Sequence, residues 1–415
     1  MVQMTVNTIL CLFSNVKYRN LIILSLFAIV GIFPWLALVA MGILARGMLS
    51  ERIGRPALAY TLVSFLALFN TTKRLDGDWY WYVTDYIAMA RISLLDYLQA
   101  GGSSIRITEP IYYAFSFALS RLSDGNVFVF ALALSLAIYL TYIIALEKLM
   151  QLYGFHRWAA AICIVFAVLA GLTFTQSLHL VRQYLAGSIL FLYFVLILEG
   201  KNKAAAFLFV LGPLVHNSFV IPAGLLAICA YLWNLSWVKR RYVWVLFLLL
   251  ISGYGVGLYL TSVIHFSSFD LASLKDEGSV SVFVVLQDVL LFFVSLVGLL
   301  SFRDRQGFCT KSSAVVVLFL ASFGSFLLGI HELTLWFLRM YFYVEWFRVI
   351  GVITIVWFLV YRLKQTILAI LFIPLSFLVM GMRVAQSPFN YGGGLFDHLF
   401  QSAMWWVDNL STVVQ

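Results

Sequence analysis

Long apolar runs decide what this chain can become. Leu21–Leu44, Val127–Ala145 and Tyr242–Ile264 are each long enough, at about 1.5 Å per residue, to cross roughly 30 Å of hydrocarbon. With 63% hydrophobic and 11% charged residues over 415 positions, too few charges remain to cover a water-facing surface. The expected class is an all-α polytopic membrane protein, and residues 1–415 read as one integral membrane domain in a lipid bilayer.

Cutting at charged and Gly/Pro-rich breaks predicts about twelve spans: 20–44, 56–70, 127–146, 158–175, 182–199, 203–217, 219–235, 242–264, 280–301, 313–330, 336–361 and 365–382. Loops 45–56, 147–157, 199–203, 236–242, 302–312 and 361–365 carry 15 Lys or Arg against 4 acids, an excess that marks the cytoplasmic side. The same excess, split into short clusters, argues for membrane orientation and against nucleic acid. Loop 71–126 holds five basic and six acidic residues, so it is expected outside, together with both termini and the C-terminal segment 383–415. Lys17 and Arg19 run against this assignment, which the six later loops outvote. The N-terminus has no basic start and no small-residue cleavage site, and reads as retained.

Cys11, Cys163, Cys229 and Cys309 are isolated in or beside apolar runs, which supports packing rather than a disulfide framework or a CxxC metal site. In the polar stretch Asn70–Asn126, Asp78 to Tyr97 alternates aromatic and polar residues at near-helical spacing. Trp79, Tyr80, Trp81, Tyr82 and Tyr86 crowd together there, which predicts a helix lying along the outer surface. After the Gly101–Ser104 break, Thr108 is placed to cap a helix with Pro110 in its first turn.

A charged side chain in mid-membrane costs on the order of 2.5–3.5 kcal/mol on insertion scales, so each asks for a partner or a function. Gln176, His179, Arg182 and Gln183 open the fifth span at spacings that let one helix present all four to a cavity. Arg182 has the shape to grip a diphosphate, and it can equally snorkel or pair with a carboxylate. His216, in His216-Asn217-Ser218, falls on the same side as Arg182; a satisfied structural histidine is the commoner case. Glu345 and Arg348, three apart, read as a structural ion pair, whereas Arg339 is free for an anionic ligand. Asp76-Gly77-Asp78 and Glu109 fit either solvated loop acids or a metal pair and a general base.

Taken in order, these motifs resemble a family. Arg74-Leu75-Asp76-Gly77-Asp78-Trp79-Tyr80, Glu109-Pro110-Ile111-Tyr112-Tyr113, Arg182-Gln183, His216-Asn217-Ser218 and Arg339-Met340-Tyr341-Phe342 are similar to the EpsG-like branch of the Wzy-type polysaccharide polymerases, from about Arg74 to Ile355. The resemblance implies a GT-C-like glycosyltransferase of the bacterial inner membrane. At the periplasmic face it would move a growing glycan from undecaprenyl diphosphate onto an incoming lipid-linked repeat, with a chain-length regulator and a flippase as partners. A sugar hydroxyl that attacks an anomeric carbon must lose a proton. Glu109 is the first candidate for that base, then Asp78, then His216. Arg182, Gln183, Arg339 and His179 would hold the diphosphate, and Asp76, Trp79, Tyr80, Tyr82 and Tyr112 the sugars. No cofactor is required, while the Asp76/Asp78 pair, where a single acid is expected, leaves a divalent metal open. A GT-C transferase using a polyprenyl-phosphate sugar and a lipid-linked glycan flippase are the rival readings.

Overall fold

The computed structural model describes residues 34–93, 96–97, 109–266, 288–290, 292–297, 299 and 307–386. Lys17, Arg19, Cys11, the Gly101–Ser104 break, Thr108 and the outer segment beyond 386 lie outside the described residues.

All regular elements described are helical. In chain order they are α1 (Pro34–Met48), α2 (Glu51–Thr71), α3 (Gly77–Met89), α4 (Pro110–Ser123), α5 (Val127–Leu152), α6 (Arg157–Phe166, prolonged by a π turn to Gly171), α7 (Val181–Glu199) and α8 (Asn202–Val215). Then follow α9 (Val220–Asn234), α10 (Ser236–Arg240), α11 (Tyr242–Phe266), α12 (Gly307–Gly329), α13 (Thr334–Glu345), α14 (Arg348–Trp357, prolonged to Arg362), α15 (Thr366–Ile370) and α16 (Phe372–Gln386).

Among the described residues, eight candidate membrane spans are long and apolar enough to cross a bilayer, and three shorter apolar helices, Arg157–Gly171, Asn202–Val215 and Asp288–Val297, accompany them. Two of the twelve expected spans fall short for visible reasons. The one expected over 158–175 ends at the π turn, and the one over 203–217 ends where His216 turns extended, just after Pro213.

Side-chain contacts sort the loops by end. Arg46 pairs with Glu147 at 3.3 Å, Lys148 and Lys201 both reach Glu199, and Arg157 donates to the Leu49 carbonyl at 2.6 Å. Tyr153 meets Ser312, and the Tyr361 hydroxyl accepts from the His156 amide at 2.9 Å. The basic loops therefore gather at one end of the bundle. α5 and α7 start at the opposite end, and α2 and α8 finish there.

Loop 71–126 is not a simple surface strip. Trp79, Val83 and Tyr86 of α3 and Tyr112 of α4 pack with Phe130, Ala131 and Leu134 of α5 and Val181 of α7, and Trp79 and Tyr86 stack on Phe130. The apolar face of α3 is thus turned into the bundle. Glu109, rather than Thr108, occupies the position before α4, with Pro110 in the first turn, where a missing amide costs nothing.

Between α6 and α7 the chain leaves α-helical geometry over Leu172–Leu180, apart from one 3-10 turn at Phe174–Gln176. Backbone buried outside an α-helix must find its remaining hydrogen bonds inside the protein. Arg348 donates to the Gly171 carbonyl at 2.9 Å and Arg383 to that of Leu172 at 2.6 Å. Glu345 accepts from the Thr173 amide at 2.8 Å and from its hydroxyl, and Lys73 donates to the Thr175 carbonyl. Asn70 reaches Ser177 at 3.0 Å and Ser135 at 2.8 Å. Arg348 in turn pairs with Glu345 at 3.1 Å and Asp288 at 2.6 Å, so the expected Glu345–Arg348 pair belongs to a larger network.

Close packing depends on small residues. A Cβ on Gly187 would fall 2.1 Å from Trp346 Nε1, and one on Gly257 of α11 would fall 2.5 Å from the Phe326 carbonyl of α12. Cys163 and Cys229 are buried free thiols.

Arg348 is 2% exposed. Replacing it with Met leaves the buried Glu345 and the partly buried Asp288 without their guanidinium partner, which costs about 3–5 kcal/mol. Thermal unfolding of Arg348→Met in detergent is expected to show a large drop, and Lys203→Met, at an exposed position, is expected to show none.

Candidate functional site

Three chain segments converge on the Glu109 carboxylate. It is set by the start of α4, where φ −124° and ψ 53° leave its side chain uninvolved in capping. Arg182, in the first turn of α7, puts Nη1 2.5 Å from Oε2. His216, extended at the end of α8, places Nδ1 2.7 Å from Oε1, and the Asn217 amide donates to the same oxygen at 3.1 Å. Since the carboxylate accepts, Nδ1 carries the proton and Nε2 faces away from Glu109.

Arg182 is held on two further sides. Its Nε donates to the Tyr82 hydroxyl at 3.2 Å and Nη1 to that of Tyr113 at 3.4 Å, with the guanidinium 5.7 Å and 5.8 Å from the two ring centres. Nη2 makes no hydrogen bond among the described residues. Glu109 is 3% exposed. Burial pushes its carboxyl up, but the His216 hydrogen bond, a positive charge on that ring whenever it is protonated, the Arg182 guanidinium and the Asn217 amide together outweigh it and hold the group below its ordinary range. The site keeps this carboxylate ionised.

The other expected residues divide. Gln183 follows Arg182 on α7 and is 3% exposed, its amide without a hydrogen-bond partner among the described residues. His179 and Gln176 are not on that helix, since α7 begins only at Val181, so one helix does not present all four. Burial, reinforced by the charge of Lys73, lowers His179 to about 3, and its ring is neutral rather than a cation for phosphate. Arg339 is exposed on α13, one turn before Tyr343, whose hydroxyl lies 3.0 Å from Ser218 Oγ. It therefore shares a helix face with the residue that reaches the His216-Asn217-Ser218 turn.

Asp76 and Asp78 are exposed at the start of α3, where Asp76 accepts from the Gly77 amide at 2.7 Å. Neither joins the Glu109 cluster. Among the described residues, no group of three or more His, Cys, Asp or Glu comes together as a metal site would require. Of the expected sugar contacts, Tyr80 is 48% exposed and Tyr82 lines the site, whereas Trp79 and Tyr112 are 1% and 2% exposed and serve packing. Their rings are spent on neighbouring side chains.

Tyr113, Asn217 and Tyr343 were not among the sequence candidates. Tyr113 had a signal, because four residues after Glu109 it returns to the same side of α4. Asn217 acts through its backbone, which no residue identity reveals.

A depressed carboxyl value stabilises the fold above the unfolded value, about 4.3 for Glu, and that contribution is lost as pH falls through the folded value. Glu109→Gln is expected to melt lower than the wild type at neutral pH. The gap should narrow as pH falls below the unfolded value and close only below the depressed folded one, as read by thermal unfolding in detergent across pH.

Comparison with curated proteins and with solved structures returns no match. The family model described as the EpsG family matches residues 57–393, a stretch that contains α3, α4, α7, α8 and α13 and with them every residue of the cluster. With most of its length inside that match, the chain belongs to the EpsG family, a Wzy-like polymerase family.

Proposed function

We propose that the protein is a repeat-unit polymerase of the bacterial inner membrane, working at the periplasmic face on oligosaccharides carried by undecaprenyl diphosphate. The growing glycan is transferred from its lipid carrier to a hydroxyl of the incoming lipid-linked repeat. The observation that carries this reading is the Glu109 carboxylate shared between Arg182 and His216. Gathering of the basic loops at the other end of the bundle supports an outward-facing site by the positive-inside rule.

In the transfer, an acceptor hydroxyl oxygen bonds to the anomeric carbon as the bond from that carbon to the diphosphate oxygen breaks. The hydroxyl proton must leave, and undecaprenyl diphosphate departs with the bonding electrons. Glu109 ranked first for the proton from the sequence, but a carboxylate committed to a guanidinium, an imidazole and an amide is a weak base. His216 suits the role better. With Nδ1–H fixed on Glu109, its Nε2 lone pair is oriented to accept the proton, and the ionised Glu109 stabilises the imidazolium that forms. Arg182, through its open Nη2 edge, and the exposed Arg339 offset the charge on the departing diphosphate. Gln183 supplies amide hydrogen bonds from the same helix start. The exposed Tyr80 and Trp81, with Tyr82, give rings for sugar faces.

Purified protein in proteoliposomes, given lipid-linked repeats and no sugar donor, is expected to build a glycan ladder. His216→Ala should lower the rate by about 10²–10⁴-fold, and Arg182→Ala should leave single repeats. Normal ladders from both variants would sink the assignment. Extension only on adding a polyprenyl-phosphate sugar would favour the single-sugar transferase, and translocation without a ladder a flippase.

A further inference from the structure

The end of the bundle away from Glu109 carries a cavity that this reaction leaves unused. About 540 Å³ in volume, it is lined by Trp237, Arg240, Arg241, Trp244, Val245 and Leu248, where α10 runs into α11. The Arg241 amide bonds back to Trp237 and the Val245 amide to Arg241 across the bend at Arg241, and within α11 helical spacing lines up Trp244 and Leu248 along one wall. That wall has guanidinium groups at one end and a lipid-facing surface at the other. Trp237, Trp244 and Leu248 are 49%, 68% and 62% exposed.

Basic residues at this end are expected from topology alone, and three of them are neutralised by a nearby carboxylate. Arg46 has Glu147, and Lys148 and Lys201 share Glu199. Arg240 and Arg241 differ, because they are exposed and make no ion pair among the described residues. Between Glu199 and Asp270 the sequence contains no acid at all. Lys239 lies over the Trp233 ring at 5.7 Å, and Lys311 lies within electrostatic reach of Lys239. A concave surface with four nearby cations and, among the described residues, no carboxylate paired with its two arginines is short of an anion.

We propose that this cavity binds the phosphodiester headgroup of an anionic phospholipid from the adjoining leaflet. Arg240 and Arg241 grip the phosphate through their planar forks, and Trp244 and Leu248 lie along the acyl chains. The apolar half selects a lipid over a soluble phosphate, which would need only the charged half. The surrounding lysines select against a zwitterionic headgroup, whose own ammonium they repel. Tryptophans at the edge of a span are suited to the interface where such a headgroup sits.

The test uses the full-length protein in bilayer discs of phosphatidylethanolamine and phosphatidylglycerol, extracted gently and weighed with its retained lipids by native mass spectrometry. Wild type is expected to retain phosphatidylglycerol in preference to phosphatidylethanolamine. Losing both forks in Arg240→Gln/Arg241→Gln should cut that retention by about tenfold or more, roughly 1.4 kcal/mol. Lys203→Gln, an exposed change at the same end, should leave it unchanged. Equal retention by the double variant, equal retention of the two lipids, or stripping of the lipid by millimolar inorganic phosphate would each overturn the proposal, the last in favour of a soluble anion. These outcomes are independent of whether the Glu109 cluster polymerises glycans.

Discussion

The structure depends on satisfying a stretch of backbone that is not a helix. Leu172–Leu180 interrupts two packed helices, and buried in the bundle its amides and carbonyls must find partners within the protein. A 3-10 turn satisfies some of them, and Arg348, Arg383, Glu345 and Lys73, all distant in sequence, supply hydrogen bonds at Gly171, Leu172, Thr173 and Thr175. The buried charges that look costly one by one are partners of a broken chain and of each other. What they hold in place is the entry to α7, and so the position of Arg182.

The same economy governs the Glu109 cluster. Burying a carboxylate alone would force it to take up a proton. Two side chains and one amide instead keep it charged, and the guanidinium that helps do so still leaves one edge open. A site built this way holds its ionisation state before any substrate arrives. Preorganised charge of this kind is the main means by which enzymes lower barriers where charge develops.

Much of the architecture was legible because hydropathy and charge act over long stretches. The apolar runs locate the helices within a few residues, and the Lys/Arg excess sorts the loops by end. Glu109, Arg182 and His216 stood out because polar residues are rare in such a chain, and the structure brings these three together. The rest was hidden for identifiable reasons. Trp79 and Trp81 look alike in sequence, yet at two residues' separation on a helix one faces Phe130 and the other solvent. His179 appeared to share a helix with Arg182 because nothing in Thr173-Phe174-Thr175-Gln176-Ser177 announces a break. That break is imposed from outside by Lys73, Glu345 and Arg348, tens to hundreds of residues away.

The cluster also sets an order of assembly. Glu109 precedes α4 in the chain, while Arg182 arrives only after α4, α5 and α6 have been made and His216 after α7 and α8 as well. Trp79 and Tyr86 can stack on Phe130 as soon as α5 is in place, but the carboxylate has no cation until α7 arrives. Docking of the loop and completion of the site are therefore separable, and a half-inserted chain presents no completed site to its own substrate.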